Sequence, residues 1–272
     1  MRTKFSELYS GSVRLFSFAV LLTACWLGLN FLVPELWSTG IPTIVTRLLI
    51  FGTILTGLWL GVSRTDFDGS TRLTLWFAIA VPYTLWLALI WGLALRGVFV
   101  PGVTSVPLVP IAIFVPVVIG LVLLIRSKHM AVLLDAMPPS WLIGVQLYRV
   151  FGGIFLVNWM HGVIPGAFAI PAGIGDMTVG LLALPAALWA SSGTRTGRRI
   201  GIAWNLLGLT DFAIAIATGI LSSPGPLHLL ALHHPNVALG TYPGVMVPAF
   251  AVPSWIILHG LSLWQLRRMA RK

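Results

Sequence analysis

Charge is the first thing this chain lacks. Only 9% of its 272 residues are Asp, Glu, Lys or Arg, where a water-soluble domain carries roughly a quarter. With 57% hydrophobic residues and a mean hydropathy of +0.95, there are too few polar side chains to coat a surface facing water. That excludes a soluble globular domain and implies an integral membrane protein. Cysteine is nearly absent: the single Cys25 excludes an internal disulfide framework and any site built from several thiolates. No P-loop, dinucleotide fingerprint, nucleophile elbow or EF-hand pattern is present, and no loop has room for a soluble catalytic domain.

What is abundant is long apolar runs. A helix needs about 20 apolar residues to cross the hydrocarbon core, and eight segments qualify: 15–33, 44–62, 73–95, 106–125, 141–160, 165–189, 200–221 and 243–266. The expected fold is an all-α polytopic membrane protein, and the lipid bilayer is its first partner. The net charge of +10 is then no nucleic-acid signal; what matters is where the basic residues lie. Fourteen of the seventeen Lys and Arg fall in the N-terminus, in alternate loops and in the C-terminal tail, from Arg2 and Lys4 to Arg271 and Lys272. Only Arg96 and Arg47, near the outer end of the second segment, lie towards the other side. The positive-inside rule puts both termini in the cytoplasm of a cell with the protein in its inner (plasma) membrane, and the pattern requires an even number of spans. The twelve tryptophans suit interfacial belts. One rival reading takes Leu22-Thr23-Ala24-Cys25 as a lipoprotein cleavage box, leaving a lipidated Cys25 and seven spans; against it, the apolar run continues through residues 26–33.

The chain divides into a cytoplasmic N-terminus (1–14), a mainly apolar four-helix half (15–125), a cytoplasmic connection (126–140), a second four-helix half (141–266) and a basic tail (267–272). Prolines 107, 110 and 116 in the fourth span match prolines 243, 248 and 253 in the eighth, and "VRLFSF" in the first resembles "VQLYRV" in the fifth. A 4+4 parallel repeat of the transporter kind is one explanation; chance likeness of apolar segments is the other.

The ionisable residues at membrane depth lie in the second half. Gln146, Arg149, Asp176, Asn205, Asp211 and His259 come from four different spans, and a rise of about 1.5 Å per residue brings the charged ones near the midplane. Gln146, Arg149 and Gly152 share one helix face, as do Asn205, Gly208 and Asp211. An ion at that depth is costly, so Arg149 needs a carboxylate, and two aspartates compete for it. The one left over must be protonated, hydrogen-bonded or balanced by a bound cation.

Residues 169–180 read "AIPAGIGDMTVG". Pro171 lacks an amide donor and Gly173 and Gly175 unwind easily. The segment is therefore expected to break the sixth helix, with Asp176 capping the half that follows. His161, His228, His233 and His234 fall on the outer side, where imidazoles suit zinc or copper, though no motif gathers them and a purely interfacial loop is the simpler reading. Haem would need one of them, or His259, as an axial ligand.

The leading functional reading is a protein that binds a small ligand or ion in the polar pocket of residues 141–266, moving it with proton coupling. The alternatives are a membrane-embedded redox or transferase enzyme for a haem, quinone or isoprenoid, and an accessory subunit with a purely structural network. Reporter fusions at either terminus should register in the cytoplasm, and Cys25→Ser should leave the intact mass otherwise unaltered. A diacylglycerol-sized mass on Cys25 would establish the lipoprotein reading instead.

Overall fold

The computed structural model describes residues 2–104 and 106–271, so Lys272 of the basic tail lies outside the described residues, as do the side chains of Arg2 and Lys4. Among the described residues the chain is helical throughout, with no strand. Eight helices are long and apolar enough to cross a membrane: Ser6–Leu32, Ile41–Val62, Gly69–Leu95, Leu108–Arg126, Pro139–Met160, Gly166–Ala190, Arg195–Ser222 and Val247–Met269, here spans 1 to 8. Eight successive crossings leave both termini at one face. Short helices Glu35–Ser38 and Lys128–Ala136 join spans 1 to 2 and 4 to 5.

Capping chemistry marks the span ends at the terminal face. Asp68 accepts the Thr71 amide at 2.8 Å to start span 3, and that bond holds its exposed carboxyl below the ordinary range. Thr194 accepts the Gly197 amide at 2.9 Å to start span 7. Burial then ranks the spans. About three quarters of span 8 is enclosed (72% of its apolar window) and about half of span 5 (50%), against 17% for spans 1, 3 and 4. Span 8 is therefore the central post. It packs on spans 4, 5 and 7, while span 6 packs on spans 1, 5 and 7. Lipid meets the leucines, valines and phenylalanines left on the outer faces, such as Phe77, Leu85, Val118 and Leu123.

Irregular backbone sits where neighbours cover it, but not where the sequence places it. Span 6 is one helix from Gly166 to Ala190, continuous through Pro171, Gly173 and Gly175. Pro171 falls close to the helix start, so the carbonyl it leaves without a partner is in the first turn. Asp176 therefore lies inside a helix rather than capping one, and Pro165 occupies the N-cap. The departures from α geometry are in spans 5 and 8. Span 5 tightens to a 3₁₀ helix over Val145–Gly153. Span 8 opens with a π turn at Val247–Ala251, just before Pro253, whose ring would crowd an ordinary α turn.

Glycines of span 6 serve close approach instead. A Cβ on Gly180 would lie 2.5 Å from the Val150 amide nitrogen and 2.8 Å from Val150 Cγ1, and one on Gly173 would lie 2.8 Å from Leu156 Cγ. Gly180→Ala should lower thermal stability by about 1–3 kcal/mol through overpacking against span 5. Gly57→Ala, with open space around its position, should leave the melting temperature unchanged in the same assay.

Candidate functional site

Arg149 is fully enclosed and sits in the middle of the 3₁₀ stretch of span 5. Its Nε donates to Asp176 Oδ1 at 2.8 Å, and its Nη2 donates to Asp211 Oδ2. Nη1 faces the Gly208 carbonyl at 3.5 Å and His259 Nε2 at 3.2 Å. A guanidinium can only donate, so Nε2 accepts and the imidazole hydrogen sits on Nδ1, where it donates to Asn205 Oδ1 at 2.9 Å. Asn205 passes the chain on, donating to the Gly201 carbonyl at 2.8 Å and to Ser262 Oγ at 2.9 Å. Four spans thus meet in one hydrogen-bonded chain around a single guanidinium, and the two aspartates share that arginine rather than competing for it.

Small residues and aromatics shape the space around it. A Cβ on Gly152 would overlap the Asp176 carboxylate, one on Gly175 would coincide with Asp211 Oδ1, and one on Gly208 would enter the His259 ring. Each glycine is thus the void an ionisable or imidazole side chain occupies. The Phe212 ring lies 3.9 Å beneath the Arg149 guanidinium carbon, and Trp204 and Phe212 flank His259 with ring centroids at 5.0 and 5.9 Å. These faces screen the ion network from lipid and favour the cation.

On the side away from the termini the network opens into a chamber of about 520 Å³. Its walls are apolar, from Ile113 of span 4, Phe155 of span 5, Phe168 of span 6, Ile216 and Ile220 of span 7, and Val252 of span 8. Among the described residues Asp176 is its one ionisable lining residue. Arg149 holds Oδ1 of that carboxylate, and no donor among the described residues is bonded to Oδ2. Loop residues 99–102, 104, 106–107, 223–227 and 239–240 form the mouth. The loop after span 7 therefore folds over the bundle with Leu227, Leu229 and Leu232 turned outwards. Spans 4 and 7 both wall the chamber, yet each packs mainly elsewhere, span 4 on span 8 and span 7 on spans 6 and 8.

The other sequence candidates fall differently. Gln146 shares the 3₁₀ face of Arg149 and is fully buried, but both of its amide atoms lack a partner among the described residues. His161, His233 and His234 are exposed in loops, and His228 is half-buried. Among the described residues no group of three His, Cys, Asp or Glu is placed to hold a metal ion, so the structure does not gather these histidines into the zinc or copper site considered from sequence. Both ring nitrogens of His259 are engaged, which removes it as a free axial ligand for haem. Pro171, Gly173 and Gly175 form no hinge, as span 6 is continuous.

Sequence reasoning missed Arg47. It lies six residues inside span 2, about 9 Å below the helix start, and it is 6% exposed. Its position relative to the apolar run, rather than to the loop, was the available signal. Near it lie Asp176, Tyr83 and Tyr148. Two buried arginines and two buried aspartates therefore make up the ionic content of the interior. Also missed were Phe212, Trp204, Trp255 and Ser262, since apolar rings and serines are ordinary in membrane helices.

A family model described as a domain of unknown function (DUF8737) matches residues 106–267, which spans the ion network and most of the chamber. No curated protein and no solved structure matches the chain.

Removing only the cation should do most harm. Arg149→Met strands two carboxylates and should cost about 3–5 kcal/mol, seen as low yield and a fallen melting temperature. Arg149→Met with Asp176→Asn and Asp211→Asn should recover most of the loss. Equal yields for the single and triple variants would mean that the network does not hold these spans together.

Proposed function

The chain belongs to the DUF8737 family, and we propose that it is a membrane carrier for a small, largely apolar molecule bearing one hydrogen-bond donor or ammonium group. The chamber carries this reading: its apolar walls end on Asp176, its single ionisable lining residue. A ligand's apolar body would replace lipid-like surroundings with the side chains of spans 4 to 8, and its donor would dock on Asp176 Oδ2, the oxygen that Arg149 leaves free. A carboxylate in such a place is costly as a bare charge. Arg149 meets that charge through Oδ1, and exchange of a ligand ammonium for a proton at Oδ2 is the basis for proton coupling. The bias of basic residues to the terminal face supports an orientation with that face in the cytoplasm and the chamber mouth outside. Spans 4 and 7 both wall the chamber while packing mainly on other spans, which supports entry between them from the bilayer.

One second reading has support from the same lining. An isoprenoid or quinone would also fit an apolar chamber, and Asp176 would then act as an acid–base group in a membrane-embedded enzyme. Incubation with lipid extract separates the two, since an enzyme leaves a changed product and a carrier does not.

Decylamine is a suitable probe. Its binding to the purified protein, followed by native mass spectrometry and thermal shift, should be saturable. It should weaken about tenfold or more in Asp176→Asn, which loses a charge-assisted bond. Ala215→Trp, which fills the chamber, should abolish it with Asp176 intact. Equal binding by Asp176→Asn and the unaltered protein would remove Asp176 as the anchor.

A further inference from the structure

Arg47 belongs to no part of the site just described. It is not among the chamber walls, and it makes no ion pair among the described residues. A guanidinium carries five N–H donors. Here Nη2 has one bond, to Thr46 Oγ1 at 3.3 Å, while Nε and Nη1 are buried with no acceptor among the described residues. Arg149, in the same bundle, has an acceptor on every nitrogen. The contrast is therefore not a general property of arginines in this interior.

Aromatic rings surround Arg47. The Trp255 ring of span 8 has its centroid 5.9 Å from the guanidinium carbons of both arginines. Tyr148 lies tilted against that indole at 5.6 Å. Tyr83 stacks between Phe51 and Phe250 at 5.4 and 5.3 Å and is hydrogen-bonded to Ser254 at 3.1 Å. Asp176 is engaged by Arg149, so it offsets the charge of Arg47 from a distance without accepting its hydrogen bonds. No acceptor among the described residues is bonded to Arg47 Nε or Nη1, and the strongest acceptor for a desolvated guanidinium is an anion.

We propose that Arg47 is the anchor of a second binding site, for a small monovalent anion, enclosed by Trp255, Tyr148 and Tyr83 between spans 2, 3, 5 and 8. Arg47 lies near the end of span 2 away from the termini, so the anion enters from the face on which the chamber opens. The site is separate from the chamber: it takes an anion where the chamber takes a donor or cation, and it stands or falls without Asp176.

The test uses the full-length protein in detergent with formate, nitrate and bromide, each against gluconate at equal ionic strength. Gluconate is too bulky for so enclosed a corner. At least one of the small anions should raise the melting temperature saturably, and Arg47→Gln should weaken that response about tenfold or more. Asp176→Asn should keep it. Where Arg47→Gln does not fold, Arg47→Lys, which retains the charge and loses the planar donor set, should fold and bind more weakly, and crystals grown in sodium bromide should show an anomalous peak beside Arg47 in the unaltered protein. No saturable response to any of the three anions, or one that survives in Arg47→Gln, would overturn the proposal and leave Arg47 a hydrated cation.

Discussion

Everything inside this bundle is arranged around one guanidinium that cannot reach water. An arginine at membrane depth costs several kcal/mol unless its charge and its donors are met, and Arg149 meets that demand by collecting groups from three other spans. Asp176 and Asp211 supply charge, the Gly208 carbonyl and His259 supply acceptors, and Phe212 covers the open face. The backbone follows from this. Glycines at 152, 175 and 208 are where the carboxylates and the imidazole sit, so the spans approach at the very points where the polar groups meet. A tightened 3₁₀ stretch, with residues three apart eclipsed, presents Arg149 to all of them.

The consequence is a protein with two unlike ends. Along span 7 the order runs Asn205, Asp211, then the chamber wall from Ala215 to Ser223; along span 8 it runs in reverse, from Val252 of the wall to His259, Ser262 and Gln265. The half nearer the termini is closed by hydrogen bonds. Gln265 clamps the short connecting helix by donating to the Leu134 and Met137 carbonyls at 2.6 and 2.7 Å. The other half is apolar, hollow and roofed by loops. The floor of this hollow half is Asp176, held by Arg149 through Oδ1.

Much of this was legible in the sequence because membranes impose simple rules. Apolar runs of the right length gave the spans to within five residues except at the start of the first, expected at residue 15 and reaching back to Ser6 or beyond, and the i+3 spacing of Gln146, Arg149 and Gly152 and of Asn205, Gly208 and Asp211 marked the faces that turn inwards. The errors share a cause. "AIPAGIGD" suggests a break because proline and glycine weaken a lone helix, but in a packed bundle a proline near a helix start costs little and a glycine makes contact possible. Whether a glycine is a hinge or a gap depends on the partner helix, which the sequence does not display locally. Gln146 shares the face of Arg149, as its spacing indicates, and its amide has no partner among the described residues. Arg47 was set aside as a boundary residue because the apolar run was counted from residue 44, whereas the helix begins at Ile41 and carries it inwards.

Counting Arg47 changes what the interior can do. With Arg149 alone, two carboxylates would leave the bundle one negative charge out of balance, and a resident cation or proton would be needed to hold it together. With both arginines the charges cancel, so the resting state needs no occupant for its stability. Occupants instead exchange against groups already present. A cation or donor at Asp176 would disturb that balance in one direction and an anion at Arg47 in the other. Asp176 already acts on the charge of Arg47 through space, so an occupant at one place would be felt at the other.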